Sequence, residues 1–197
     1  MGEIKYMLKP DWVSWDAVAE CQYQAHIRNR KKGFKMGCQN MTGKDFENNL
    51  KNGYCFVALD GEKVVGTESF MIKTINFFGK KRICYFCYSA ILPEYQGTDV
   101  YFKLNEIKNK EREKQNINIM YFNTAEQNKL VQRLSYKKGY KYFLLRSTIY
   151  TDYYSVYMIK WAGKCPFPDW VFNCVYKLSK FYTKTRFKPR RIKRFGI

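Results

Sequence analysis

Two periods alternate along this chain, one of two residues and one close to four, with turn residues between them. Ile4 to Leu8 reads as a short strand, ended by Lys9-Pro10-Asp11. Asp11 is placed to cap a helix reaching about Ile27, with Trp12, Trp15, Val18, Ala19 and Gln22 as its mostly apolar stripe. After a basic connection, Arg28 to Lys35, Thr42 caps a second helix through Leu50, and Asn52-Gly53 stops it. Tyr54 to Leu59 and Lys63 to Ile72 form a hairpin around Asp60-Gly61. Phe78-Gly79-Lys80 is another turn. Arg82 to Leu92 is almost wholly apolar or aromatic, as suits a strand covered on both faces.

The stretch that follows is the most informative. Pro93 cannot donate a ladder hydrogen bond, so the strand ends there. Gly97 permits a backbone turn that other residues resist. Thr98 or Asp99 caps the next helix, and Val100, Leu104 and Ile107 share one face of it. Such a turn points unpaired N–H groups and the positive end of a helix dipole into one small volume, which suits a phosphate. The helix ends in a run expected to be solvated, Lys108 to Gln115. Ile117 to Phe122 is a strand apolar on both faces. Asn128 to Lys138 is a helix with Leu130, Val131 and Leu134 facing inward and Gly139 at its C-terminal cap. Tyr142 to Tyr150 and Tyr153 to Trp161 close as an antiparallel pair. The fold class is therefore α/β, a mixed sheet flanked by helices with one parallel crossover near the middle. Beyond Pro166 and Pro168, Asp169 caps a helix bearing Trp170, Val171, Cys174, Val175, Leu178 and Phe181, followed by a basic tail, Lys184 to Arg194. The expected division is a domain over 1–161 and a basic amphipathic helix and tail over 162–197.

Composition adds a partner class. The chain has 197 residues and a formal net charge of +19, which calls for phosphates, an anionic membrane, nucleic acid or an acidic protein. From Ala162 onward there are ten Lys/Arg against a single Asp, so the positive charge is concentrated at the C-terminal end. A zinc finger, a recognition helix or an RNA-binding signature would favour nucleic acid; none is present, and nucleic acid is not expected. The seven cysteines show no pairing frame, which favours reduced thiols in a cytoplasmic protein. Cys84 and Cys87 have metal-ligand spacing, but they lie inside an apolar run with no second pair, so no metal is expected. Met1-Gly2 begins like a myristoylation signal, but Tyr6 stands where Ser or Thr is needed. No uncharged apolar stretch is long enough to span a bilayer.

Pro93-Glu-Tyr-Gln-Gly followed by a helix resembles the pyrophosphate-binding loop of the GNAT superfamily of N-acetyltransferases, usually Gln/Arg-x-x-Gly-x-Gly/Ala. Gln96 and Gly97 match; Asp99 and Tyr101 replace the later small residues. The order of elements from about Ile4 to Trp161 is also similar to the family's. The resemblance implies a central sheet whose strand ending at Leu92 splays from the strand Ile117 to Phe122. It implies an acyl-CoA co-substrate, most simply acetyl-CoA. Ala90, Ile91 and Leu92 would meet its pantetheine arm, and Gln96, Gly97, Thr98, Asp99, Val100 and Tyr101 its pyrophosphate. A second family pattern, Asn-x-x-Ala-x-x-Leu-Tyr-x-x-x-Gly-Phe, is matched by Asn128, Val131, Leu134, Ser135, Gly139 and Tyr140. It makes Asn128, with Asn123 upstream, a cofactor contact. Ser135 stands where a Tyr usually serves as acid to the departing thiolate; Tyr136 is adjacent, though one helical step turns it by about 100°. Tyr88 and Tyr121 are other candidates. No carboxylate lies on the strand Arg82 to Leu92, so Glu68 is the candidate base, against an ordinary reading as a solvated strand residue. Asp99 would repel a pyrophosphate unless it turns away or Lys103 offsets it. His26, the single His, lies near Arg28 and Arg30 and would line an acceptor pocket or simply end a helix.

The function this implies is N-acyl transfer, most simply acetyl transfer to a primary amine of a small molecule such as an amino sugar, by direct attack in a ternary complex. The alternatives are a catalytically degenerate member used as a binding module, and an acyltransferase whose donor is an acyl-carrier protein. An anionic membrane surface or an acidic protein is a second partner, through the C-terminal segment, so the expected location is cytoplasmic with peripheral membrane association. The bland reading of that segment is an apolar face packed on the domain and a solvated tail.

Overall fold

The computed structural model describes residues 3–31, 37–76, 79–147 and 153–195, with side chains of the last helix as far as Arg186. Lys32 to Lys35 of the basic connection, Phe78 of the turn before Lys80, and residues 148–150 fall outside the described residues. The chain has a mixed α/β fold and divides into two compact units, Met1–Asn118 and Ile119–Ile197.

The first unit is an antiparallel meander of β1 (Ile4–Leu8), β2 (Gly53–Asp60), β3 (Lys63–Asn76) and β4 (Lys80–Ile91), each strand paired with the next. Helices α1 (Trp15–Ala25), α2 (Ile27–Lys31) and α3 (Gly43–Leu50) lie between β1 and β2, and α4 (Val100–Glu113) follows β4. The α1 cap is Ser14, whose hydroxyl accepts from the Ala17 N–H at 3.1 Å, and not Asp11. Asp11 is already spent in the tight turn in which Val13 N–H bonds the Pro10 carbonyl. The start of the expected stripe shifts with it: Trp12 is exposed, while Val18, Cys21, Gln22 and Ala25 are buried. Thr42 caps α3 as the sequence predicts, in a capping box with Asp45. The core holds Val18, Phe46, Phe56, Val57, Leu59, Val65 and Phe70, closed by Val100 and Leu104 of α4. Gly66 lets α4 approach β3. A Cβ there would lie 2.7 Å from Ile91 Cδ1 and 3.0 Å from Leu104 Cδ1.

The second unit is an antiparallel set in the order β5 (Ile119–Ala125), β7 (Tyr154–Trp161), β6 (Lys141–Ser147), with α5 (Lys129–Lys137) between β5 and β6. Leu145, Val156 and Met158 form its core, with Phe122, Tyr140, Tyr142, Tyr154 and Tyr176 packed round them. The final helix α6 (Asp169–Phe195) runs through the segment expected to be a tail. It covers the free edge of β6. Leu145 N–H donates to Ser179 Oγ at 3.0 Å, and Thr183 Oγ1 donates to the Leu145 carbonyl at 2.8 Å. Those backbone groups would otherwise be an unpaired strand edge.

Two expectations about burial are corrected. In α5, Leu130, Val131 and Leu134 do not face inward; Leu130 is 68% and Leu134 50% exposed. The buried residue is Gln132, whose amide donates to the Ala125 and Glu126 carbonyls at 3.0 and 2.9 Å. Those two bonds satisfy carbonyls that β5 leaves behind, and they fix which face of α5 turns in. In α4 the run from Lys108 is not uniformly solvated, because Lys108 is buried. Its partner is Glu68, itself buried rather than a solvated strand residue.

Candidate functional site

The site is built at the end of β4. Thr67 pairs with Ala90 and Ser69 with Cys87, so Glu68 alone opposes both Tyr88 and Ser89. This is a β-bulge, and the extra residue, Tyr88, sits at φ +51°, a region few non-glycine residues occupy. Its neighbours hold it there. The Tyr88 carbonyl accepts from Gln22 Nε2 at 2.7 Å and Thr67 Oγ1 at 3.1 Å. The ring meets Phe46 edge-on at 4.9 Å, and the phenol oxygen accepts from Asn49 Nδ2 at 3.2 Å. Ser89 Oγ donates to Glu68 Oε1 at 2.5 Å, while Lys108 Nζ holds Oε2 at 2.8 Å. Lys108 also sits 4.6 Å above the Phe86 ring. A strained backbone persists only where surrounding contacts over-determine it, and such residues concentrate at functional sites.

Both oxygens of Glu68 are therefore engaged and shielded from water, so the carboxylate is placed to hold the bulge. Burial, ahead of the nearby Cys87, pushes the Tyr88 phenol up to about 12, with the Asn49 hydrogen bond pulling the other way. Tyr88 is thus neutral near pH 7. Because its oxygen accepts from Asn49, its proton remains available to donate.

Past the bulge, the Leu92 N–H still bonds the Val65 carbonyl at 2.9 Å, and a single 3-10 turn, Pro93–Tyr95, then redirects the chain. Tyr95 is buried and donates to Asp60 at 2.7 Å, pinning the turn to the end of β2. Gln96 is exposed, and its amide donates back to the Ile91 carbonyl at 3.0 Å. Gly97 sits at φ +88° with open space where a Cβ would stand. Thr98 Oγ1 donates to the Tyr95 carbonyl at 2.6 Å and accepts weakly from Val100 N–H at 3.4 Å. Asp99 occupies the cap position without a side-chain capping bond, and its carboxylate pairs instead with Lys103 at 2.7 Å. Among the described residues, no acceptor takes the N–H groups of Gly97, Asp99, Tyr101 or Phe102. They make a set of donors at a helix start, suited to an anion with several oxygens.

A separate cleft lies against the back of this turn. Ala17, Glu20, Gln24, Lys63, Leu92 and Glu94 help to line it, and it meets the turn only through Leu92 to Glu94. Near α1, burial and then Arg30 lower the pKa of the His26 imidazole. Its Nδ1 lies 3.3 Å from Asn29 Nδ2, a contact that belongs to the helix end.

The second unit carries the remaining candidates. Asn128 caps α5, its Oδ1 accepting from Val131 N–H at 3.3 Å, and among the described residues no acceptor takes its amide nitrogen. Asn123 lies on β5 opposite Tyr157. The Ser135 carbonyl closes the helix end by accepting from Tyr140 N–H at 3.1 Å, around Gly139 at φ +87°. Tyr136 is exposed and stacks on Tyr142, 6.0 Å between centroids, so it is occupied by its own unit.

Cys84 and Cys87 are free thiols, and burial raises the pKa of both, Cys84 to about 12. A thiol held protonated is a poor metal ligand. Among the described residues no group of His, Cys, Asp and Glu has the geometry to hold a metal ion. The bulge at Tyr88 and the pair Glu68–Lys108 are site features that pattern reading missed. The sequence signal was a Glu between Thr67 and Ser69 in the middle of a strand and a Lys one turn beyond Leu104.

No protein-family profile and no curated protein matches the chain in sequence. Solved structures do match in fold. A probable acetyltransferase from Staphylococcus epidermidis superposes with a TM-score of 0.62 at 15% identity, covering 82% of this chain and all of that one. The ribosomal-protein-S18-alanine N-acetyltransferase from Escherichia coli gives 0.61 at 14%, over 84% of this chain and all of that one. The PaiA N-acetyltransferase from Thermoplasma acidophilum, solved with coenzyme A, gives 0.61 at 13%, over 81% and 99%.

Proposed function

On the premise that this chain has the fold of the GNAT N-acetyltransferases, we propose that it is an acyl-CoA-dependent N-acyltransferase, acting on a primary amine of a small molecule. The observation that carries the reading is the set of N–H groups of Gly97, Asp99, Tyr101 and Phe102, which no acceptor among the described residues takes, beyond a strained bulge in β4. Acyl-CoA supplies an acyl group activated as a thioester. Gly97, Asp99 and Tyr101 offer N–H groups to its pyrophosphate, with Thr98 and Val100 shaping the turn and Gln96 bracing it against Ile91. Ala90, Ile91 and Leu92 present the strand end to the pantetheine arm. Tyr88, neutral and with its proton free, donates to the departing thiolate. Ser135 and Tyr136 are the weaker candidates: the first because an aliphatic hydroxyl is a poor acid, the second because it is stacked on Tyr142. Glu68 acts by fixing Ser89 and the bulge; the acceptor arrives as the free amine, and the proton its nitrogen sheds on acylation returns through solvent to the Tyr88 phenolate. An amino sugar linked to a nucleotide or lipid suits the positive field of the chain.

Calorimetry with acetyl-CoA tests this on the intact protein. Micromolar binding is expected, lost in Gly97→Val, because a β-branched residue at φ +88° costs about 1–3 kcal/mol in backbone strain and redirects the N–H groups. Gly97→Asn should retain much of the binding, since Asn tolerates this region. No heat at millimolar acetyl-CoA would reject the reading in favour of a carrier-protein donor or a binding module. An assay with an acyl-carrier protein then separates those two.

A further inference from the structure

Helix α6 spans 27 residues, about 40 Å at the rise of an α-helix. At roughly 100° per residue its side chains fall into three sectors. Phe172, Tyr176, Ser179 and Thr183 form the sector packed on the unit. Phe172 is buried against Trp161 at 5.6 Å, Tyr176 meets Tyr142 at 5.2 Å, and the two hydroxyls hold Leu145. Trp170, Cys174, Leu178, Phe181 and Tyr182 form the second sector, which faces solvent. Trp170 is 66%, Leu178 69% and Phe181 71% exposed. Asn173, Lys177, Lys180 and Lys184 form the third, alongside it. Lys184 is paired with Glu126 at 3.0 Å, whereas Lys177 and Lys180 make no ion pair among the described residues. The apolar sector is thus not the one that docks the helix. The unit is covered by an aromatic and hydroxyl face, and a second, larger apolar stripe is left over.

Contiguous exposed apolar surface of this kind marks an interaction site. Charge decides among the occupants. From Ala162 onward the chain holds ten Lys/Arg and one Asp, and α6 continues helically to Phe195 through most of them. A second copy would bring the same charge against itself. An anionic bilayer offers apolar depth beneath a layer of negative headgroups. That arrangement matches Trp, Leu and Phe in one sector with Lys beside it. We propose that α6 lies in the plane of an anionic membrane surface, with Trp170, Leu178 and Phe181 inserted at the headgroup boundary and Lys177 and Lys180 on the phosphates, so that the protein works as a peripheral membrane protein.

The test uses the full chain with mixed phosphatidylcholine–phosphatidylserine vesicles and with pure phosphatidylcholine vesicles. Intact protein sediments with the anionic vesicles at low salt, and rising salt releases it. The triple variant Trp170→Ser/Leu178→Ser/Phe181→Ser stays in the supernatant. Its melting curve is unchanged, because none of these side chains is part of the packed sector. Lys177→Gln/Lys180→Gln weakens binding about thirty-fold, from the known contribution of each basic residue near a charged bilayer. Tryptophan emission shifts to the blue on binding, and the shift is lost in Trp170→Phe while binding survives. Equal sedimentation of the triple variant would overturn the proposal by showing that charge alone binds. Failure of the intact protein to sediment would overturn it in favour of an acidic protein. Self-association abolished by the triple variant would overturn it in favour of a second copy.

Discussion

Two of the ion pairs on helix α4 lie barely more than a turn apart along its length, each a lysine on a carboxylate at nearly the same distance, and their surroundings differ. Lys103 reaches Asp99 at 2.7 Å, and Lys108 reaches Glu68 at 2.8 Å. The first pair is more than half exposed on both sides; the second is 7% and 3% exposed. Asp99 and Lys103 are neighbours on one helix face, so their pairing needs only the helix itself. Glu68 and Lys108 are 40 residues apart and meet only once β3, β4 and α4 are assembled. Length and chemistry therefore say little about what a salt bridge does. The exposed pair tunes the field at the turn, while the buried pair is a structural condition of the bulge.

The largest effect should come from breaking the buried pair. Lys108→Met strands a carboxylate in the core and should cost about 3–5 kcal/mol in chemical denaturation. The loss should persist at high salt, since a buried pair is little screened. Glu68→Leu with Lys108→Met should regain most of that stability. It should not regain acyl transfer, because Ser89 loses its acceptor and the bulge its anchor. Full activity in a stable double variant would show that neither the bulge nor the reaction depends on the pair.

Smaller, and read in binding rather than stability, is Lys103→Met. It leaves Asp99 uncompensated beside the free N–H groups, and acyl-CoA affinity should fall about five-fold. Asp99→Gly on that background should restore it. Asp99→Gly alone should change affinity less than either, because Lys103 already offsets the carboxylate. A five-fold gain from Asp99→Gly alone would mean that the pair does not persist when ligand binds.

The smallest effect concerns pH. The hydrogen bond to Asp99, followed by its charge, raises the Lys103 pKa above its ordinary value. The contribution of the exposed pair is therefore complete below the unfolded-state value near 10.5 and fades as pH rises through the folded-state value. Comparing the alkaline limbs of wild type and Lys103→Met should show curves that converge above that point.

The same contrast explains what was legible in the sequence. Gly97, Pro93, Thr42 and Gly139 were readable because a turn or cap is a local requirement of the backbone. The order of strands and helices followed from periodicity for the same reason. Asp99 and Lys103 were readable as a pair because four residues on a helix are always neighbours. Glu68 and Lys108 were not, because charge in a strand or a helix tail looks solvated until a distant element covers it. The inward face assigned to α5 failed likewise, since Leu130 and Leu134 lost their place to Gln132 and two carbonyls that only the fold brings near. On α6 the apolar stripe was visible, but a second sector of Phe172, Tyr176, Ser179 and Thr183 does the packing. Hydroxyls satisfying a strand edge leave no trace in a hydropathy pattern.

Gln22 gives the bulge a history as well as a shape. Its amide spans 45 residues to Thr67 Oγ1 at 2.8 Å and 66 residues to the Tyr88 carbonyl. The pairing of β3 with β4 closes over a short connection, whereas the clamp from α1 waits on a long search. In refolding from denaturant the strands therefore come first, and Tyr88 settles into its left-handed geometry only when α1 docks. On the ribosome the order reverses, because α1 emerges well before β4. There Gln22 is already outside when Thr67 and Tyr88 appear, so the clamp can close as soon as β3 and β4 pair.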